Sequence, residues 1–183
     1  MKSFPITYNE PVIEQVLEHY AEYLGDDFQK YRNHVYRVFH YALYMVRKSE
    51  HMNSKVRGQL AYAAAFHDIG IWTDKTFDYI KPSIFAMQEY LQNYPDTKII
   101  AGMIFWHHKR SAYAGKHQLL IESFRRADWI DVTKGIKSFG VPRELTEELI
   151  SVFPYHGFHM TLVKKSFKHI LKHPFTPFPM FKS

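Results

Sequence analysis

The chain has 183 residues, 46% of them hydrophobic and 17% aromatic, a size that suits one domain and a composition too apolar for a disordered segment. Lys and Arg number 24 against 18 Asp and Glu, a formal charge of +6 that favours anionic partners without choosing among phosphorylated metabolites, nucleic acid and acidic surfaces. With no cysteine, disulfides and thiolate metal sites are excluded, and any metal must rest on His, Asp or Glu.

Residues 1–10 contain no apolar run of signal-peptide length, and no stretch of 18 apolar residues follows, so a cytoplasmic protein without a membrane span is expected. Apolar residues recur with helical period in segment after segment, and strand-like alternation is scarce. The expected fold is all-α, a single-domain helical bundle over residues 1–183.

The first helix is predicted over residues 11–24, with Pro11 in its first turn, Gly25 as its stop, and Val12, Val16, Tyr20 and Leu24 as its stripe. A second, over 33–46, carries Val35, Val38, Phe39, Ala42 and Val46 on one face, with His34 beside that stripe. A third runs over 54–68 and stops near Gly70, and His67 extends its apolar face.

The pattern fails over 71–82, where Trp72 and Phe77 mark either a loop pinned to the core or a platform for a nucleobase. Ser83 is read as the cap of a helix over 83–93. Asp96 is read as the cap of a helix over 96–108, apolar nearly all round and hence central, that ends on His107-His108.

A polar loop leads to a helix over 118–132, with Asp128 in line with Ile121 and Phe124 on its buried side. Helices over 142–153 and 158–172 and a proline-interrupted tail over 174–183 complete the chain.

Several helices thus place a metal-competent side chain where the apolar stripe predicts the interior. A buried charge without a partner costs several kcal/mol, so such groups pair with one another or bind a cation. Each residue also has an ordinary explanation: His34 or His67 as a core histidine on a backbone carbonyl, Asp68 as a turn residue before Gly70, Asp128 in a salt bridge with Arg125 or Arg37. Taken together, two imidazoles and two carboxylates form a donor set suited to manganese, iron, cobalt, nickel or zinc, and less well to magnesium.

The ordered pattern of His34, then His67-Asp68, then Asp128, in the contexts Asn33-His34-Val35, Phe66-His67-Asp68-Ile69-Gly70 and Ala127-Asp128-Trp129, resembles the HD-domain superfamily of metal-dependent phosphohydrolases. The resemblance spans roughly residues 30–132. It implies His34, His67, Asp68 and Asp128 as metal ligands, Asp68 also at the reacting centre, and a metal-bound water attacking a small phosphorylated substrate such as a nucleotide. Nucleic acid and membranes are not the expected partners.

His107-His108 is similar to the histidine pair of HD-GYP cyclic-dinucleotide phosphodiesterases, although Lys109-Arg110 follows here in place of their Glu and Gly-Tyr-Pro. His107 is a candidate general acid, phosphate contact or ligand of a second metal. Asp131, one turn past Asp128, is a candidate support for a ligand or a base for the attacking water. Arg37, His108, Lys109 and Arg125 are candidate substrate contacts, with Arg110 and Arg126 nearby. Some HD nucleotidases carry a glutamate four positions after the Asp of the pair, where this chain has Trp72.

Two other readings fit the same residues. An HD-like di-iron oxygenase would draw its extra histidines from His107, His108 and His117. A non-catalytic metal-containing binding protein would use Lys164, Lys165, Lys168 and Lys172 on an RNA or an acidic protein.

Overall fold

In the computed structural model, residues 4–49 and 52–172 are described, and among them there are helices and no strands. The helices are α1 (Pro11–His19), α2 (Ala21–Leu24), α3 (Phe28–Val46), α4 (Ser54–Phe66), α5 (Gly70–Thr73), α6 (Ile80–Tyr90), α7 (Thr97–Trp106), α8 (Gln118–Val132), α9 (Arg143–Val152) and α10 (Phe158–Lys172). None is long and apolar enough to cross a membrane. The predicted tail over 174–183, and the side chains of Lys168 and Lys172, lie outside the described residues.

The centre of the bundle is α3, which packs against α1, α4, α8, α9 and α10. Every residue from Asn33 to Leu43 is buried, so the helix is enclosed on all sides for three turns. The helix ending on His107-His108 had been expected at the centre because it is apolar all round. In fact α7 buries Ile100, Met103 and Ile104, while Phe105 stays 42% exposed. The reason is chemical: α3 can bury Asn33, His34, Arg37 and His40 because each finds a partner inside, Asn33 by donating to the Pro154 carbonyl at 2.7 Å and the others through the bonds described below.

Helix boundaries differ from the sequence reading at several points, each with a local cause. The first predicted helix is interrupted at Tyr20, whose N–H reaches both Val16 and Leu17 carbonyls at 3.2 Å, and Gly25 then turns the chain with φ 49°. Asn53 caps α4 by accepting from the Val56 N–H at 3.0 Å. That helix ends at Phe66, so His67 and Asp68 sit in a tight turn rather than inside a helix.

Gly70 is not a left-handed stop. It opens α5 where that turn presses against α6, and a Cβ there would lie 2.6 Å from the Tyr79 carbonyl oxygen and 2.9 Å from the Ser83 nitrogen. The next helix starts at Ile80, earlier than expected, because Pro82 in a first turn gives up only an N–H that has no helical partner. Ser83 is therefore no cap; its buried hydroxyl accepts from the Gly70 N–H at 3.0 Å. Asp96 does precede α7, but its carboxylate pairs with Lys55 at 3.1 Å instead of capping.

Candidate metal centre

Four parts of the fold meet at one buried point. They are α3 with His34, the turn after α4 with His67 and Asp68, the end of α7 with His107 and His108, and α8 with Asp128. Except for His108, whose side chain is 14% exposed, these groups are shut away from solvent at 3% exposure or less.

The tautomers of three imidazoles follow from their partners. His34 Nδ1 lies 2.7 Å from Asp131 Oδ2, His67 Nδ1 lies 2.8 Å from the Ala64 carbonyl, and His107 Nδ1 lies 2.5 Å from the Ile104 carbonyl. Ionised carboxylates and carbonyls only accept, so each Nδ1 carries the proton in the neutral ring and each Nε2 offers a lone pair. Those lone pairs face inward. His34 Nε2 and His67 Nε2 are 2.9 Å apart, a separation that demands a proton or a cation between them.

The two carboxylates divide themselves between two groups of histidines. Asp68 Oδ2 lies 3.6 Å from His34 Nε2 and 3.5 Å from His67 Nε2, while its Oδ1 lies 3.3 Å from His107 Nε2. Asp128 Oδ1 lies 3.7 and 3.8 Å from the same two atoms of His34 and His67, and its Oδ2 lies 3.3 Å from His108 Nδ1. The centre is two-lobed, with one oxygen of each acid turned to each lobe.

Several of these atoms have only one another, or His108, as near neighbours. Asp68 Oδ1, both Asp128 oxygens and His107 Nε2 are buried without a hydrogen bond. Donors about 2.1 Å from one ion stand about 3.0 Å apart at right angles and about 3.4 Å apart in a tetrahedron. The 2.9, 3.5 and 3.6 Å among His34, His67 and Asp68 therefore fit a shared divalent cation, while Asp128 Oδ1, at 3.7 and 3.8 Å from the two histidines, stands farther out. The donor atoms of His34, His67 and Asp68 lie within 4.8 Å of one another, as do those of Asp68, His107 and His108, so each lobe is compact enough to hold an ion.

Without a cation, the electrostatics put a proton on His34 in the gap to His67. Burial opposes charge on His34, but the Asp131 and Asp68 carboxylates outweigh it and hold the imidazole at about 9. Burial pushes His67 down to about 3, with Asp68 resisting and the neighbouring His34 and His107 assisting. Burial raises Asp128 to about 7, only partly relieved by His107 and His34, whereas Asp68, against its own burial, is drawn well below the carboxylate range by His67, His107 and His34. A cation among His34, His67 and Asp68 would take the place of the proton on His34.

Asp131 lies behind the centre. Its Oδ2 accepts from His34 Nδ1 at 2.7 Å and from Arg37 Nη2 at 2.9 Å, and its Oδ1 accepts from Arg37 Nε at 2.5 Å. With both oxygens engaged it is placed to orient His34, not to take a proton from water. Arg37, expected at a phosphate, is fully buried; besides Asp131 it donates to the Phe153 carbonyl at 2.6 Å and lies over the Tyr155 ring.

Arg125 is turned inward in the same way, to Glu122 at 2.6 and 2.8 Å and to the Lys109 carbonyl at 3.0 Å. Neither arginine is therefore left to pair with Asp128, and the salt bridge that would have explained that acid does not form. Lys109 places its ammonium 4.8 Å above the Phe105 ring, and Arg110 is exposed at the same turn. Trp72 pins α5 to the start of α3: its ring packs on Tyr31, and its Nε1 donates to Asp27 Oδ2 at 3.1 Å.

Three aromatic residues at the centre were not anticipated. Tyr31 receives the Asp68 N–H at 3.3 Å and donates to the Ala65 carbonyl at 2.9 Å, bracing the turn that carries His67 and Asp68. Its position three residues before His34, on the same helical face, was a usable signal. Phe158 stacks on the His34 ring with centroids 4.3 Å apart, a long-range contact with no local trace in the sequence. Tyr79 hydrogen-bonds His108 Nε2 through its hydroxyl. Burial, then the charges of Asp68 and Asp128, hold that phenol well above 10, so it is a neutral O–H.

Compared with known protein families, curated proteins and solved structures, the chain matches none.

Proposed function

We propose that this chain is a metal-dependent phosphohydrolase of the HD-domain type acting on a small phosphorylated substrate. The carrying observation is the two-lobed donor set, in which Asp68 and Asp128 each turn one oxygen to His34 and His67 and the other to His107 or His108. His34, His67, Asp68 and Asp128 would hold one divalent ion, and His107, His108 and the same two acids a second. Bound there, such ions lower the pKa of a water to make a nucleophile near neutral pH and neutralise charge developing on a phosphoryl group.

The protein's own residues account for the rest. Asp131 and Arg37 fix the ring of His34, Tyr31 braces the turn of His67 and Asp68, and Phe158 closes the face of His34 against water. Lys109 and Arg110 follow the histidine pair directly and bring positive charge to its rim, where an anionic substrate gains from it.

The test is a panel of nucleotides and simple phosphoesters, assayed with manganese, cobalt, nickel, zinc and magnesium beside the metal content of the purified chain. Turnover is expected with at least one transition ion, and Asp68→Ala should lose the ion and at least about 10³-fold in rate while keeping its helical circular dichroism, since the ion supplies several kcal/mol. An Asp68→Ala protein that keeps its metal overturns the assignment.

One observation favours a second reading, dioxygen chemistry at two irons. Both His107 and His108 reach the second lobe, and such a site needs two extra histidines. Stoichiometric iron with substrate-dependent oxygen uptake, and no phosphate release, would select it.

A further inference from the structure

His108 differs from the other three histidines of the centre in which nitrogen it turns inward. His34, His67 and His107 each donate Nδ1–H outward and aim Nε2 at the acids. His108 aims Nδ1, 3.3 Å from Asp128 Oδ2, and its Nε2 is engaged by the Tyr79 hydroxyl. A neutral imidazole has one N–H and one lone pair, so the partner at Nε2 decides what Nδ1 can do. Where the phenol oxygen accepts from Nε2–H, Nδ1 is a lone pair available to a metal. Where the phenol O–H instead donates to Nε2, the proton sits on Nδ1, toward Asp128, and the ring is no longer a ligand; the Asp68 carboxylate facing the phenol offers its proton another acceptor and so favours the first arrangement.

We infer that Tyr79 is a positioning residue that makes His108 a ligand of the second metal ion, by accepting the proton-bearing Nε2 of that ring on its hydroxyl. The inference rests on the two-ion reading above and goes beyond it by naming the residue on which the second lobe depends.

The fold holds Tyr79 firmly enough for this task. The residue is 2% exposed, and its carbonyl accepts from the Ser83 N–H at 2.8 Å. Its ring meets Phe77 edge-on with centroids 5.9 Å apart. The Gly70 backbone lies so near the Tyr79 carbonyl that no side chain fits between them. Gly70 follows Asp68 by two positions, so the turn that presents a ligand to both lobes also seats the residue that orients the outer histidine. This explains why the loop after the ligand pair is packed rather than open.

The experiment is a cobalt or manganese titration of the purified protein, with bound ions counted by elemental analysis, for wild type, Tyr79→Phe, His108→Ala and the double variant. Phenylalanine keeps the ring and removes only the oxygen, and circular dichroism with a thermal melt verifies that the fold survives. Wild type should hold two ions. Tyr79→Phe should keep the first at unchanged affinity and bind the second about 10- to 100-fold more weakly, the usual cost of losing a group that orients a ligand. His108→Ala should lose the second ion, and adding Tyr79→Phe to it should do nothing more, because the tyrosine acts through that histidine.

A Tyr79→Phe protein that binds both ions as wild type does, or whose loss adds fully to that of His108→Ala, overturns the inference and leaves the two-ion reading standing. A wild type that binds one ion alone overturns both. A Tyr79→Phe protein that weakens both ions equally also overturns the inference, since a general loosening of the site would have replaced a specific effect on His108.

Discussion

His34 and His40 lie six residues apart on α3, and both are completely buried. His40 Nδ1 donates to the Tyr36 carbonyl at 2.6 Å, and its Nε2 accepts from the Thr7 N–H at 2.9 Å, so both nitrogens are satisfied and the ring fastens the N-terminal segment to the helix. His34 has one nitrogen on Asp131 and the other in a crowd of lone pairs and carboxylate oxygens with no fixed donor. Burial does not separate a structural histidine from a candidate ligand; the partner of its second nitrogen does.

The contrast can be broken first at the support of His34. Arg37→Met leaves Asp131 as a buried carboxylate with its main counter-charge gone, and the expected loss is about 3 to 5 kcal/mol, read from the urea midpoint. A loss below about 1 kcal/mol would mean that Asp131 draws its stability from elsewhere.

Acid tests the other histidine. Burial, with Arg57 adding to it and the Tyr36 carbonyl resisting, lowers His40 from 6.5 to about 4. The unfolded chain then binds a proton that the folded chain refuses, so stability is full above about pH 6.5 and falls as pH drops toward 4, by about 3 kcal/mol in all. In chelator-treated protein, denaturation at pH 7.5 and pH 4.5 should show this fall, and His40→Phe should show less of it. Equal falls in the two proteins would remove His40 from the explanation.

Metal sharpens the same pair. Manganese at 100 times its dissociation constant should stabilise wild type by about 2.7 kcal/mol over the chelated protein. His34→Ala should abolish that gain and His40→Phe should keep it, both read from melting temperature. The smallest effect carries the opposite sign: without metal, Asp128→Asn should stabilise the chain by about 1 kcal/mol, because it removes a buried carboxylate that burial and its neighbours hold up at about 7. A destabilised Asp128→Asn would show that the acid is satisfied by protein alone.

The helical architecture was legible because the apolar spacing repeats every three to four residues and strand alternation is lacking. The meeting of His34, His67, Asp68 and Asp128 was legible because each polar residue interrupts or extends an apolar stripe. Direction was not legible. Arg37 stands three residues after His34 whether its guanidinium turns outward to a substrate or inward to Asp131, and spacing along one helix does not encode a partner on another. Gly70 looks the same in sequence as a left-handed stop or as a point of close approach, and only the position of Tyr79 and Ser83 decides. Tyr79 itself gave no periodic signal, since it belongs to a packed loop.

Asp131 and the histidine it holds are 97 positions apart, and Asp128 lies three residues nearer on the same helix. A nascent chain emerging from a ribosome has His34, His67 and Asp68 in hand long before α8 exists to supply the remaining acid and the brace for the first ring. Closing a span of that length costs about 4 kcal/mol of chain entropy beyond a constant, and the helices between must dock before anything offsets it. An ion at this centre would thus be seated late in the life of each molecule, once α8 has docked against α3 and braced the ring of His34.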